Sequence, residues 1–382
     1  MRSPISEGET ALPQAKLMTP TAANSTERPL PNWDTLTFSL TETDWLYQSF
    51  GQSFENPSKP AVWDNGQYLP FDSVRVSPAA AFMSYGLGVF EGLKAQKTSD
   101  GRILLFRPDK NAERFQHSAK CLLMEPFPVE QFLEACDEVV RRNVRFAPPA
   151  DKGSFYLRPV QHAIEAKLGL GPCHHFCVTI FGSPVGSYFA GGAGAGSSVG
   201  GGIAGGVRLK VLEQGRVAQG GTGHAKAMGN YAGGIGRAYK WKSAGFDDVL
   251  YLDAHELRYV TETSGSNVFL RRKDDVIVTP ALNDQILPGV TRDTVIEVAQ
   301  RTLGLRVEQR PLLIAEVIEE GKELFCTGTA WTVQSVREVV YRDQPYQFQT
   351  DEVQRALLEV IRGVQIGTRD DEFGWIREVQ TG

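Results

Sequence analysis

The sequence predicts a mixed α/β fold arranged as two regions. Three observations lead there. At 382 residues the chain exceeds what one small core needs and suits two. Short β-like runs and amphipathic helical runs alternate in both halves. Between them lies a glycine-dense stretch from Ala190 to Gly206, whose backbone would lose much entropy on ordering, so it reads as a connector. The expected parts are an N-terminal extension (1–35), an α/β region (36–185), the connector (186–206) and a second region (207–382).

Taken in order, Met1 to Pro31 is rich in Pro, Ser, Thr and Glu, with little periodicity, and reads as a floppy extension. It has no apolar signal core, and Glu7, Glu9 and Glu27 argue against a transit peptide. Ile103-Leu104-Leu105-Phe106 is a short buried strand. After Pro128, residues Val129, Phe132, Leu133, Cys136, Val139 and Val140 fall at helical spacing. Cys173-His174-His175-Phe176-Cys177 offers metal-type side chains. The β-like Val178-Thr179-Ile180-Phe181 follows, and a strand sends alternate residues to opposite faces, so a strand start is expected there and no metal site. Gly200 to Gly205 matches the dinucleotide pattern GxGxxG. It lacks a preceding strand, and Val207-Arg208-Leu209-Lys210-Val211 alternates like a strand where a helix should begin, so the match is compositional.

After that strand and a loop around Lys226, a helix is expected through Tyr239 and Lys242. Val249–Leu252, Leu257–Thr261, Val268–Leu270 and Val276–Val278, with turns at 253–256 and 273–275, form an antiparallel meander. Leu287-Pro288-Gly289 precedes a helix carrying Val295, Val298, Ala299 and Leu303 on one face and closed by Gly304. Another helix is expected over 313–320, and then a strand over Leu324-Phe325-Cys326.

Composition excludes several function classes. Forty basic against 45 acidic residues, with no dense Lys/Arg block, leave no footprint for nucleic acid. No apolar stretch reaches membrane-spanning length. Five cysteines form no disulfide framework, which suggests a reducing compartment; a cytoplasmic location is expected.

The chemistry centres on Lys226, a lone lysine in Gly221-Thr222-Gly223-His224-Ala225-Lys226-Ala227-Met228-Gly229-Asn230-Tyr231. Small neighbours would let a planar ligand approach. A lysine Schiff base with pyridoxal phosphate needs an acid at the pyridine nitrogen, a phosphate cradle and a donor near the phenolic oxygen. Glu262, a lone carboxylate among small polar residues, can be the acid. Thr291, where Gly289-Val290 hands over to a helix, can offer backbone N–H groups to a phosphate. Gly328-Thr329-Ala330 adds a small-residue turn with a hydroxyl, and Arg107 a guanidinium at a strand end. Each also has a plain structural reading: helix cap, strand-end arginine or exposed carboxylate.

With these residues in place, the sequence resembles the fold-type IV pyridoxal-phosphate transaminases, and most of all the branched-chain amino-acid aminotransferases. The resemblance rests on Tyr85-Gly86-Leu87-Gly88-Val89-Phe90-Glu91-Gly92-Leu93-Lys94, Leu105-Phe106-Arg107-Pro108, Tyr156-Leu157-Arg158-Pro159, Ser183 to Phe189, Lys226 to Tyr231, Leu287 to Arg292, Gly328-Thr329-Ala330 and a tail with Asp370 and Gly374. It implies a small N-terminal α/β domain and a larger C-terminal domain, with pyridoxal 5'-phosphate between them. By the same resemblance Lys226 is the Schiff-base lysine and proton carrier, Glu262 pairs with the pyridine nitrogen, and Tyr231 bonds the phenolic oxygen. Arg107, Val290, Thr291 and Thr329 would bind phosphate. Tyr156 and Arg158, with the Ala330 backbone, would organise the substrate carboxylate. Phe90 and Tyr188, with Tyr85, Leu168 and Leu170 from a partner subunit, would line the side-chain pocket of a homodimer. The implied reaction is ping-pong transfer between a branched-chain L-amino acid and 2-oxoglutarate.

Trp331, Met228, the glycine-rich connector and Gln161 to Ala166 depart from the family pattern; an indole at 331 would shrink the pocket or offer a stacking face. The alternative reading is a specialised aminotransferase of the same fold acting on an aromatic, β-branched or otherwise unusual amino acid. A cofactor-binding protein without catalysis and a nucleotide-dependent oxidoreductase have less in the sequence to carry them.

Overall fold

A computed structural model describes residues 28–54, 59–74, 76–186 and 205–381. Most of the expected extension and of the glycine-rich connector lies outside the described residues, as does Tyr188.

The first half runs through β1 (Trp45–Gln52), β2 (Val62–Trp63), β3 (Gln67–Pro70), α1 (Ala81–Tyr85), β4 (Gly88–Phe90), β5 (Leu93–Lys97), β6 (Ile103–Phe106), α2 (Pro108–Cys121), α3 (Val129–Arg142), β7 (Ser154–Ala163) and β8 (His175–Val185). The second contains β9 (Val207–Leu212), α4 (Gly229–Ser243), β10 (Asp248–Leu252), β11 (Val260–Thr263), β12 (Asn267–Arg272), β13 (Ile277–Thr279), α5 (Val290–Arg301), β14 (Val307–Gln309), α6 (Ile314–Glu319), β15 (Gly321–Gly328), β16 (Thr332–Tyr341), β17 (Gln344–Gln347) and α7 (Glu352–Gln365), before a last strand, β18 (Ile376–Val379).

Two sheets result. The first has the order β18-β6-β5-β7-β8-β1-β2, with β3 on β1 and β4 on β7. Its long β7–β8 hairpin pairs Ser154 with Val185 through Ala163 with Phe176. The expected strand at Val178 is therefore real and begins at His175. Helix α3 starts after Pro128 and buries Phe132, Ala135, Cys136, Val139 and Val140 against this sheet. Asn143 closes it, accepting from the Asp44 and Trp45 amides and donating to the Val139 and Trp45 carbonyls.

The second sheet has the order β11-β10-β9-β16-β15-β12-β13-β14. Strand β11 also pairs with β12 through Glu262 and Asn267, which closes the path from β11 round to β12 into a barrel. The expected meander is present: β10–β11, β11–β12 and β12–β13 are all antiparallel. Alternation sorts its residues. Val268, Leu270, Leu324 and Cys326 join one core, while Phe269 and Phe325 stack at 5.3 Å on the other side, in the core beneath α5 and α7.

The chain's end crosses back. β18 pairs with β6, from Ile376 opposite Phe106 to Val379 opposite Ile103, and Arg377 bridges to Asp137 of α3 at 2.6 Å.

Candidate active site

Lys226 sits where the two halves meet. Its loop leads into α4 of the second half, yet its backbone is hydrogen-bonded into the first sheet. The Phe90 amide donates to the Lys226 carbonyl (3.1 Å), and the Met228 amide donates to the Gly88 carbonyl (3.0 Å). From α2, Ser118 Oγ accepts the Lys226 N–H at 2.9 Å. The lysine loop thus serves β4 as a partial neighbouring strand, and Lys226 Nζ is aimed by both halves.

Nζ lies 3.1 Å from the Tyr231 hydroxyl and 4.4 Å from the centre of the Phe90 ring. Phe90 meets Tyr231 edge-on at 4.8 Å, and the Arg158 guanidinium sits 5.0 Å over Phe90. Arg158 Nη2 donates to the Tyr156 hydroxyl at 3.4 Å. The Tyr156 hydroxyl occupies the space a Cβ at position 92 would need, so only glycine fits there. Lys226, Tyr231, Phe90, Tyr156 and Arg158 therefore form one cluster.

Glu262 is buried at the barrel closure, 4% exposed. Arg216 Nη2 reaches its Oε1 at 2.5 Å, Asn267 Nδ2 donates to Oε2 at 3.2 Å, and the Leu287 amide donates at 3.3 Å. Burial nonetheless pushes the carboxyl up to about 7, against the lowering pull of Arg216. This acid is thus poised to respond to a further positive charge.

A cleft adjoins, lined by Leu93, Lys94, Gln96, Phe106, Asn111, Val290, Thr291, Thr329 and Gln365. It unites three residues the sequence marked as a cradle, from two distant segments. Gly289, extended and without a side chain to cap the helix, leaves the first amides of α5 uncapped. Its lack of a Cβ also lets the Asn267 carboxamide pack close.

Arg107 is buried: Nη1 donates to Thr294 Oγ1 (2.9 Å) and Nη2 to Asp293 (2.7 Å) of α5, while Nε has no partner among the described residues. Trp331 is 6% exposed, with its indole against Gly328, and does not line the cleft. Ala330 presents its carbonyl to Lys94 Nζ at 2.6 Å. Tyr85 donates to the Leu168 carbonyl, and Leu168 and Leu170 stand 92% and 84% exposed.

Sequence reasoning missed four contributors. Lys94 stands in the cleft wall, and burial, with Arg362 adding to it, pushes its ammonium down to about 7. Its strand reads Leu-Lys-Ala-Gln-Lys, so nothing local set this lysine apart from Lys97. Arg216 and Asn267 flank Glu262 without a motif to announce them. Glu91, inside the glycine-rich motif, is fully buried and grips Arg114 of α2.

The model of the family described as amino-transferase class IV matches residues 88–339. The chain belongs to that family. This class IV aminotransferase is 39% identical over 348 residues to branched-chain-amino-acid aminotransferase 5, chloroplastic, of Arabidopsis thaliana, covering 90% of this chain and 79% of the relative. It is 36% identical over 359 residues to branched-chain amino acid aminotransferase 1, mitochondrial, of Humulus lupulus (93% and 86% covered). The crystal structure of branched-chain aminotransferase from the thermophilic archaeon Thermoproteus uzoniensis with norvaline superimposes with a TM-score of 0.70 at 27% identity, covering 82% and 97%. The chain is thus an enzyme with the fold of the fold-type IV branched-chain aminotransferases.

These names correct one expectation. A cytoplasmic location was expected from the cysteines, whereas the relatives are named chloroplastic and mitochondrial. Free cysteines report only reducing conditions, which an organelle interior can meet as well. Among the described residues, no helix is long and apolar enough to cross a membrane.

Proposed function

We propose that this aminotransferase moves the amino group between a branched-chain L-amino acid (leucine, isoleucine or valine) and 2-oxoglutarate, in two half-reactions at one site. The observation that carries the reading is Lys226 Nζ, held 3.1 Å from the Tyr231 hydroxyl and over Phe90, beside Arg158 and Tyr156. The branched-chain choice follows the names of the relatives.

The residues fit pyridoxal 5'-phosphate. Arg107, Val290, Thr291 and Thr329 would hold its phosphate at the uncapped start of α5, Arg107 through its unpartnered Nε while Nη1 and Nη2 brace that helix. Glu262 would face its pyridine nitrogen and Tyr231 its phenolic oxygen. When bound, the cofactor supplies an electron sink for the substrate's α-carbon. Lys226 Nζ would take the α-proton and hand it on to the cofactor carbon. Arg158, Tyr156 and the Ala330 backbone would bind and orient the substrate carboxylate, and Phe90 would shape the side-chain pocket. The residues from 36 to 185 and from 207 onward would act as a smaller and a larger domain enclosing the site.

A homodimer is part of the reading. Tyr85, Leu168 and Leu170 lie together on the surface, two of them large and almost wholly exposed, and would complete a partner's pocket. The test is the visible spectrum of purified protein during addition of L-leucine. Conversion of the Schiff-base band to the pyridoxamine form is expected, and Lys226→Ala should lose turnover by roughly 10³-fold or more. A band that leucine leaves unmoved would overturn the branched-chain assignment.

A further inference from the structure

Outside this cluster, three metal-ligating side chains converge behind the lysine loop. His117 and Cys121 lie four residues apart on α2, so they share one face of the helix. His224, two residues before Lys226, meets them from the second half. Cys121 Sγ lies 3.6 Å from His117 Nε2 and 3.3 Å from His224 Nε2, and all three ligand atoms fall within 4.8 Å of one another. A thiol has one proton, so it can donate to only one of the two imidazole nitrogens facing it. Tetrahedral zinc, with bonds of about 2.0–2.1 Å to nitrogen and 2.3 Å to sulfur, needs N···S edges of about 3.5 Å. Both observed separations lie near that edge.

We propose that His117, Cys121 and His224 form a binding site for a borderline-soft divalent cation such as Zn²⁺, which staples α2 to the lysine loop. Three protein ligands leave a fourth position for water, and exposed His117 gives the ion its way in. Binding displaces the Cys121 thiol proton to solvent as the metal–sulfur bond forms, with no change of oxidation state. His224 Nδ1 is buried without a partner, so nothing braces that ligand from behind. A reversible site is therefore expected rather than a permanent structural one. Its consequence is mechanical. Ser118, next to His117, already accepts the Lys226 N–H, so an occupied site fixes the same helix to the same loop at a second point. Occupancy should slow turnover while stabilising the fold.

The holoenzyme would be titrated with Co²⁺ alone as a spectroscopic probe, then with Zn²⁺ during thermal unfolding. One Co²⁺ per chain with a thiolate-to-metal charge-transfer band is expected, together with a Tm rise of roughly 5 °C at a hundredfold excess of Zn²⁺ over Kd. Cys121→Ser should abolish the band, and His117→Ala should weaken Co²⁺ binding about tenfold or more and so shrink the band at equal Co²⁺. The exposed His117 makes misfolding of the His117→Ala variant a poor explanation for such a loss. No thiolate band in the parent, or a band unchanged in His117→Ala, would overturn the site. These readouts stand apart from leucine conversion, so the two proposals fail separately.

Discussion

Each half of the molecule buries one glutamate–arginine pair beside the lysine, and the two pairs are built to opposite ends. In the first half, Glu91 is saturated. It accepts from Arg114 Nε (2.7 Å) and Nη2 (2.9 Å), from Asn111 (2.8 Å) and from the Gly92 amide (3.1 Å). Burial pushes this carboxyl up, but Arg114 and Asn111 more than offset it, and it stays below the ordinary range. Arg114 also donates to the Pro288 carbonyl, which fastens α2 to the segment leading into α5. In the second half, Glu262 meets one arginine nitrogen and longer amide contacts, and burial prevails. The same two residue types thus give a fastener in one place and a titratable group in the other. What separates them is the number of donors around the carboxylate, not the presence of an arginine.

The comparison can be broken first at the fastener. Glu91→Ala leaves Arg114 charged in a buried site, so urea unfolding should show a loss of about 3–5 kcal/mol. A loss below about 1 kcal/mol would mean that the pair is dispensable to the fold. Next comes the titratable member. Glu262→Gln should lower kcat by roughly 10²-fold with the protein still folded, because an amide cannot balance a ring charge.

The pH dependence sharpens the same contrast. In cofactor-free protein, Glu262 titrates near 7 when folded and at an ordinary carboxyl value of about 4.3 when unfolded. Its contribution to stability is therefore complete below the unfolded value and is lost as pH rises through 7, on the order of 3 kcal/mol. Glu262→Gln should flatten that slope, and Glu91→Gln should not. The smallest effect concerns Lys94. Its folded value of about 7 is far below that of a free lysine, so stability is lost as pH falls from about 10 towards 7. Lys94→Met should stabilise the cofactor-free protein at pH 7 by about 1 kcal/mol, the side chain keeping some access to solvent. A destabilised variant would show that the bond to the Ala330 carbonyl outweighs the cost of burying the charge.

Much of this was legible along the chain because its cause is local. Small residues around Lys226, the Leu287-Pro288-Gly289 punctuation before α5 and the alternation of Val268, Phe269 and Leu270 each announce their geometry within a few residues. The barrel closure was not legible. It rests on one pairing, Glu262 with Asn267, inside what reads as an ordinary turn between strands. Nor were the partners of the charged groups. Arg216 stands far from Glu262 in sequence, Ser118 is 108 positions from Lys226, and Lys94 is 236 from Ala330. Such pairs form only after the sheets have chosen their neighbours, and no periodicity encodes them. The turn between β15 and β16 is another such case: it folds the Trp331 indole against Gly328, a contact that no periodicity encodes.

The return of β18 to the first sheet has a consequence for how the protein is made. During synthesis β6 leaves the ribosome some 270 residues before its neighbour does, as ~270 follows from the spacing of Phe106 and Ile376. Until then one border of the nascent sheet displays unpaired amides and carbonyls, a template for wrong partners. Chains that stop before Ile376 should therefore yield aggregates rather than a shorter enzyme.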